Sequence, residues 1–371
     1  MKVLVTGGAG FIGSHLVDGL LRGGHTVRVL DALAAQVHGR EGGRPEHLAP
    51  EAELIVGDVR DRAALGRALD GVEAVFHQAA AVGIGQSMYE IERYVSANSV
   101  GAAVLLEEVA RRRDRIRKLV VASSMSLYGE GACRDAAGRL VFPPPRSVAQ
   151  FESRAFELRD ASGAELAPAP TPETKPLHPT SVYAITKRDH EELFLTVGDA
   201  YGIPAVALRY FNVYGPRQAL SNPYTGVMAI FSARLLNGRA PLIFEDGLQS
   251  RDFVHVSDVV QANLLALESG AAGGRVYNVG TGRGTTILRV AEELARQLEV
   301  PLAPELPGRF RAGDVRHCIA DISRIRAELG YEPRVSLEQG MKELLEWLRT
   351  QSAEDRVDEA TRELSERGLA R

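Results

Sequence analysis

Cysteine is almost missing from this chain: Cys133 and Cys318 are the only two in 371 residues. They lie far apart and form no metal-ligand spacing, and so few thiols point to a reducing compartment, not a disulfide-stapled domain. Long apolar runs are also absent, since no stretch approaches the ~18 residues that cross a bilayer. Nor is there a cationic excess. Forty-four Lys and Arg stand against 48 Asp and Glu, a formal charge of -4 with no basic tract. A protein that tracks nucleic-acid phosphates needs the opposite balance. The first strand opens at Lys2 and runs straight into a glycine turn, which leaves no room for a signal peptide, so a cytoplasmic enzyme is expected. What is present is the usual globular mix, 45% hydrophobic and 25% charged. A chain of this length buries a large core unaided, and ~150 residues per domain implies two to three structural units.

Strand and helix signals alternate through the first half. Lys2 to Thr6, Thr26 to Leu30, Glu53 to Val56, Ala74 to Gln78 and Lys118 to Ser123 read as strands, with helical spacing between them, as at Ile12, Leu16 and Leu20. Parallel strands need crossover helices, so the rhythm predicts an α/β fold, a Rossmann doubly wound parallel sheet. The pattern breaks between Glu130 and Pro179, where eight of the 18 prolines fall between Pro143 and Pro179. Phe142, Phe151 and Phe156 in that stretch favour an ordered insertion docked on the body. A helix is expected from Thr180 to about Tyr201, then a strand from Ala205 to Phe211. The expected organisation is a dinucleotide-binding unit over 1–221 with the insertion at 130–179 near the active site. A smaller C-terminal substrate-binding lobe follows over 222–350, and 351–371 is a charged terminal helix or tail at solvent or a partner surface. Val256 to Leu267 and Val276 to Val279 return to the main sheet in this reading.

Thr6-Gly7-Gly8-Ala9-Gly10-Phe11-Ile12-Gly13-Ser14 follows the first strand and opens a helix, with Gly7, Gly10 and Gly13 at every third residue. Such a turn lets the backbone approach a pyrophosphate that sits on the free N–H groups of a helix start. The second strand ends on Asp31, about twenty residues on, where a carboxylate holds both ribose hydroxyls. That carboxylate repels a 2′-phosphate, so NAD is favoured over NADP. Asp58 and Val59 follow the third strand, where a carboxylate can accept from an adenine amino group; the alternative for Asp58 is a cap for the helix near Asp61. The small residues Ala79 and Ala80 after the fourth strand admit a cofactor, and His77 reads as a structural hydrogen-bonder.

Tyr183-Ala184-Ile185-Thr186-Lys187 sets a phenol and an ammonium four residues apart on one helix face. A tyrosine with pKa ~10 is a poor base at neutral pH. A neighbouring cation, from Lys187 or an oxidised nicotinamide, favours the phenolate and lowers that pKa. The phenolate can then take a hydroxyl proton while hydride leaves the same carbon. Ser124, after the fifth strand, can hydrogen-bond the reacting oxygen, whereas Ser123 reads as a backbone support.

These motifs occur in one order with Leu208-Arg209-Tyr210-Phe211-Asn212-Val213-Tyr214-Gly215-Pro216, Arg251-Asp252-Phe253-Val254-His255-Val256, Tyr277-Asn278-Val279-Gly280-Thr281-Gly282 and Arg311-Ala312-Gly313-Asp314. From the glycine turn to about Trp347 the chain resembles the extended short-chain dehydrogenase/reductases, and among them the nucleotide-sugar epimerases. The resemblance implies that Phe11, Ile12, Asp31, Asp58, Val59, Ala79, Ala80, Asn98, Tyr183, Lys187, Phe211 and Val213 contact NAD. It implies a nucleotide-sugar substrate held by Asn212, Arg251 and Arg311 at the diphosphate, by Leu242 and Phe244 at the base, and by Asp314 at the ribose. Ser124, Ser126 and Val227 would face the sugar. Guanidinium forks suit phosphate oxygens, which fits the two arginines; a structural pairing of Arg251 with Asp252 or Asp258 is the alternative.

Departures narrow the reading. Sugar-nucleotide dehydratases of this kind carry an acidic pair after the catalytic hydroxyl residue, and decarboxylases carry one carboxylate there, where this chain has Met125 and Ser126. Val227 stands where a UDP-galactose epimerase often has Asn. The insertion, with Leu166-Ala-Pro-Ala-Pro-Thr-Pro, resembles that of dTDP-L-rhamnose 4-epimerases, but holds only Cys133, so no metal is expected. The expectation is C4 epimerisation of a dTDP- or UDP-hexose by tightly held NAD, with Ser124, Tyr183 and Lys187 catalytic and the insertion roofing the sugar. The alternatives are a reductase or dehydrogenase that releases a redox product and a non-catalytic NAD-sensing protein. A homodimer is expected through helices near Ile91 to Arg112 and Tyr183 to Ala200, with Ala102, Ala103, Leu105, Leu106 and Val109 as the apolar face.

Overall fold

The computed structural model describes the chain except residues 40–42, 221, 223, 225, 312, 352–354, 356 and 371. Residue 221 of the expected domain boundary, Ala312 of the Arg311–Asp314 motif, and Ala353 and Arg371 of the terminal segment therefore lie outside the described residues. Seven strands form one sheet: β1 (Lys2–Thr6), β2 (Thr26–Asp31), β3 (Glu53–Val56), β4 (Ala74–His77), β5 (Lys118–Ser124), β6 (Ala205–Tyr210) and β7 (Arg275–Val279). Their spatial order is β7-β6-β5-β4-β1-β2-β3. Every pairing is parallel. Strand order reverses between β1 and β4, the switch point where a dinucleotide sits at the carboxyl ends of the strands.

Helices cover both faces because β-branched and leucine-rich strands bury both sides of a parallel sheet. α1 (Phe11–Arg22) packs on one face with the helix Val256–Glu268, and Arg62–Ala68, Gly101–Ala110 and Val182–Tyr201 cover the other. A separate core unites Val227–Leu236, Ile287–Gln297 and Leu337–Leu348 in the C-terminal half. Asp252, fully buried, ties this half to the end of β7: its carboxylate accepts from Thr281 N and Gly282 N, both at 2.8 Å, and from Ala320 N at 3.2 Å. Its carbonyl accepts from Asn212 N at 2.9 Å, which fixes the second residue after β6.

Three expectations need correction. Ala102, Leu105, Leu106 and Val109 are buried in the core of one sheet face, so that stripe is spent inside the subunit. Phe142 is 42% exposed; of the three phenylalanines, Phe151 and Phe156 are the buried ones. The terminal helix (Val357–Glu366) is docked on its own chain, with Ala360 and Leu364 buried and Glu363 accepting from Tyr89 Oη at 2.9 Å and Tyr224 Oη at 2.7 Å. Among the described residues no helix is long and apolar enough to cross a membrane.

The glycine turn shows why side chains are excluded there. A Cβ on Gly13 would lie 2.1 Å from Gly7 O, and one on Gly7, at φ +68°, would lie 2.6 Å from Ala79 N. Gly13→Ala should push α1 off the turn, at a cost of about 1–3 kcal/mol, and abolish NAD retention. Melting temperature and nucleotide released on denaturation measure both. Gly270→Ala, where an added Cβ meets nothing within 4 Å, should leave them unchanged.

Candidate active site

Helix α1 starts after Gly10 with no side-chain cap, so its first N–H groups face outward at the sheet's switch point. Asp31 closes β2 beside them, buried, with one oxygen accepting from Ala9 N at 3.0 Å and the other from Leu33 N at 2.9 Å. His47 Nε2 lies 2.8 Å from Ala9 O and steadies the same turn, a support that no sequence pattern announces. Each Asp31 oxygen keeps acceptor capacity for a ribose hydroxyl. Ala79 and Ala80 line the end of β4, with Gly7 pressed against Ala79. The residues suit a dinucleotide pyrophosphate, because α1 opens with no side-chain cap on its first N–H groups and the turn that leads to it carries glycine where backbone leaves no room for a Cβ.

The adenine end differs from expectation in detail. Asp61, not Asp58, caps the following helix through Ala63 N at 2.8 Å. Asp58 is instead forked by Arg60, at 2.9 Å from Nε and 2.6 Å from Nη2, and that hydrogen bond holds its carboxyl below the usual range. Val59 is buried beside it. Asn98 is fully buried in a wide helical turn (Val95–Val100) and spends its amide inside the protein. Its Oδ1 accepts from Ala81 N at 2.7 Å, and its Nδ2 donates to Ala81 O at 3.1 Å and Thr186 Oγ1 at 2.9 Å. Asn98 therefore joins the loop after β4 to the helix that carries Tyr183. Phe211 is core, with its N–H donated to Val279 O at 3.0 Å, leaving only its carbonyl for a cofactor; Val213 is half-buried.

At the carboxyl end of β5 the backbone turns through Met125–Tyr128. Ser124 Oγ accepts from Ser126 N at 3.2 Å and from Ser126 Oγ at 2.9 Å. With its oxygen so occupied, the Ser124 hydroxyl proton is left to donate, and the hydroxyl stands close enough to the Tyr183 phenol to favour its ionised form. Ser123 donates to Glu191 at 2.8 Å and is a support, as its place in the sequence suggested. The helix of Tyr183, α2 (Val182–Tyr201), is capped by Ser181, which accepts from Ala184 N at 3.1 Å, and Ser87 Oγ accepts from Tyr183 N at 3.0 Å. Lys187, one turn on, is buried and donates to Ala122 O at 2.9 Å.

Burial governs the electrostatics here. It pulls the Lys187 ammonium down to about 7 and pushes the Tyr183 phenol up to about 12, against which the Ser124 hydroxyl acts. Burial and Ser124 set the Tyr183 shift, and Lys187, whose ammonium is turned to Ala122 O, adds no resolved part to it. His77 is held neutral, at about 3, by burial and then by Lys187. His190, 4.8 Å from the His77 ring, is driven well below its ordinary value by the same causes. Thr6 Oγ1 meets His77 Nδ1 at 2.8 Å and Phe194 stacks on the ring, so His77 is structural.

Two pairs of the expected substrate residues meet, Arg311 with Phe244 and Arg251 with Asp314. Among the described residues Asn212 Oδ1 and Arg311 Nε are buried without hydrogen-bond partners, as groups that take up a ligand are. The Arg311 guanidinium lies 4.3 Å over the Phe244 ring. Leu242 bridges Glu305 on the paired segment. Arg251 joins neither Asp252 nor Asp258; its Nη2 donates to Val315 O at 2.5 Å and reaches Asp314 Oδ1 at 3.4 Å. Val227 opens its helix, half-buried. Sequence reading missed Tyr89, Tyr224 and Glu363, which share hydrogen bonds with one another, and Arg146 of the insertion.

A pH dependence follows from Lys187. Its folded pKa of about 7 lies below the ordinary 10.5, so between those values the unfolded chain binds a proton that the folded chain has released. Stability then rises with pH across that window. In urea unfolding of nucleotide-free protein, the wild type should gain on Lys187→Met between about pH 7 and pH 10; a constant gap would contradict the buried ammonium.

Similarity to known proteins agrees with this geometry. The profile of the NAD dependent epimerase/dehydratase family matches residues 3–148 and 152–280. A dTDP-L-rhamnose 4-epimerase of Burkholderia thailandensis is 37% identical over 349 residues, covering 94% of each chain. Among solved structures, UDP-glucose 4-epimerase of Thermotoga maritima with UDP-glucose superposes at TM-score 0.77 and 36% identity, over 94% of this chain and 99% of that one. The Thermus thermophilus UDP-glucose 4-epimerase complex with NAD gives 0.72 at 32% identity, over 95% and 100%. With a pyrophosphate cradle, a ribose carboxylate and the Tyr183–Lys187 helix all in register, the chain belongs to the NAD dependent epimerase/dehydratase family.

Proposed function

We propose that this protein epimerises a nucleoside-diphosphate hexose at C4 through a transient 4-keto sugar, acting in the cytoplasm on dTDP-L-rhamnose or a related dTDP- or UDP-sugar. The observation that carries the reading is the Ser126–Ser124 hydroxyl pair at the end of β5, set beside the Tyr183 phenol whose ionised form Ser124 favours. Ser126 fills the acceptor side of Ser124, so Ser124 points a proton at the oxygen that Tyr183 must deprotonate. NAD, when bound, would supply a reversible hydride acceptor for C4. Tyr183 would take the 4-hydroxyl proton and return it to the same oxygen when the turned 4-keto carbon is reduced on its opposite face. Lys187 anchors the helix and lies where the nicotinamide ribose would be held.

Asn212, Arg251 and Arg311 would bind the diphosphate, Leu242 and Phe244 the base, Asp314 the ribose, and Ser126 and Val227 the sugar. Gly7, Gly10, Phe11, Ile12, Gly13 and Asp31 would hold the cofactor, with Val59, Ala79, Ala80 and Val213 packing along it. Met125 and Ser126 follow Ser124 and neither can protonate a leaving hydroxide, which argues against dehydration. The similarity to a dTDP-L-rhamnose 4-epimerase supports the dTDP substrate. Two copies would pair through the helices near Ile91 and Tyr183, where Ile91, Val95 and Ile185 stand 53%, 39% and 47% exposed.

Purified protein given a panel of dTDP- and UDP-hexoses without added cofactor should form the C4 epimer of one of them. Turnover only with supplied NADH or NAD would make it a redox enzyme instead. Tyr183→Phe should lower turnover by about 10²–10⁴-fold while retaining its NAD; full activity in that variant would defeat the assignment.

A further inference from the structure

The insertion is fastened to the C-terminal half by a buried arginine. Arg146, its side chain 1% exposed, uses every guanidinium donor. Nε donates to Glu130 at 3.1 Å, Nη1 to Glu245 at 2.8 Å and Phe156 O at 3.2 Å, and Nη2 to Glu245 at 3.0 Å and Asp314 O at 2.8 Å. Its plane lies 4.2 Å over Phe151, and Phe151 stacks on Phe310 at 5.3 Å.

Several of those contacts end next to residues at the nucleotide end of the cleft. Glu245 follows Phe244 and sits at φ +56°, a left-handed backbone that a non-glycine residue holds only under constraint. Phe310 precedes Arg311, whose guanidinium covers the Phe244 ring. Asp314, gripped through its carbonyl, faces Arg251 with its carboxylate. None of the Arg146 partners belongs to the Ser124–Tyr183–Lys187 centre. The insertion thus braces both segments of the arm that carries Phe244, Arg311 and Asp314.

We propose that Arg146 is a positioning residue for the nucleoside diphosphate, through which the insertion sets the Phe244–Arg311–Asp314 arm. This rests on the reading that the arm holds the nucleotide of a sugar nucleotide. Arg146 would then govern nucleotide affinity and leave the chemistry at C4 alone. A lysine cannot replace it, because an ammonium reaches one carboxylate where the guanidinium spans two segments.

The test uses the NAD-bound enzyme, with UDP and dTDP as calorimetric probes and steady-state kinetics on the preferred sugar nucleotide. Arg146→Met should raise the Kd of the tighter nucleotide, and KM with it, by about tenfold, with kcat and NAD content close to wild type. Arg146→Lys should be intermediate. Phe151→Ala, which loosens the same arm without leaving carboxylates unpaired, should shift Kd in the same direction and decides the matter should Arg146→Met not fold. An unchanged Kd in a folded variant, or a fall in kcat alone, would overturn the proposal. Failure of the wild type to bind either nucleotide would instead overturn the reading beneath it.

Discussion

The site depends on one desolvated ammonium. Lys187 reaches from its helix to Ala122 O, two residues before Ser124, and that bond fixes the helix against the end of β5. Tyr183, one turn earlier, is thereby opposite Ser124. Burial, and then the same cation, keeps His77 and His190 neutral, so both rings serve as packing between β4 and the helix. Asn98 adds a second tie through Thr186, whose hydroxyl donates to Tyr183 O at 2.9 Å. The centre is preorganised by backbone carbonyls and amides, which do not move when substrate arrives.

Burial raises Tyr183 to about 12, so the phenol is poorly disposed to act as a base until a positive charge is brought beside it. Lys187 does not supply that charge directly in the free chain. Coupling base strength to the presence of the oxidised cofactor suits a reaction in which proton and hydride must leave together. It also gives Ser124 a specific duty: its hydroxyl, oriented by Ser126, steadies the alkoxide as it forms.

Local patterns in the sequence carry much of this fold. The five early strands are short β-branched runs, and all five end within one residue of the positions those runs predict. The glycine turn, Asp31 and the Tyr183–Lys187 spacing are likewise local patterns. What the sequence hides is long-range and aperiodic. Arg146 joins Glu130, Glu245 and Asp314 across separations of 16, 99 and 168 residues. Glu363 meets Tyr224 across 139 residues. Nothing in composition or period pairs such residues. The apolar stripe of Gly101–Ala110 is legible as buried, but a helix face cannot say whether its cover is the same chain or another.

The account turns on a hydride that leaves C4 and comes back to it without exchange. The most direct measurement is proton NMR of the reaction in D₂O with no added cofactor, on whichever hexose the protein accepts. A product with full protium at C4 and no deuterium on C3 or C5 is the predicted result. Solvent deuterium on a ring carbon would mean enolisation and would contradict the mechanism built on Ser124, Tyr183 and Lys187.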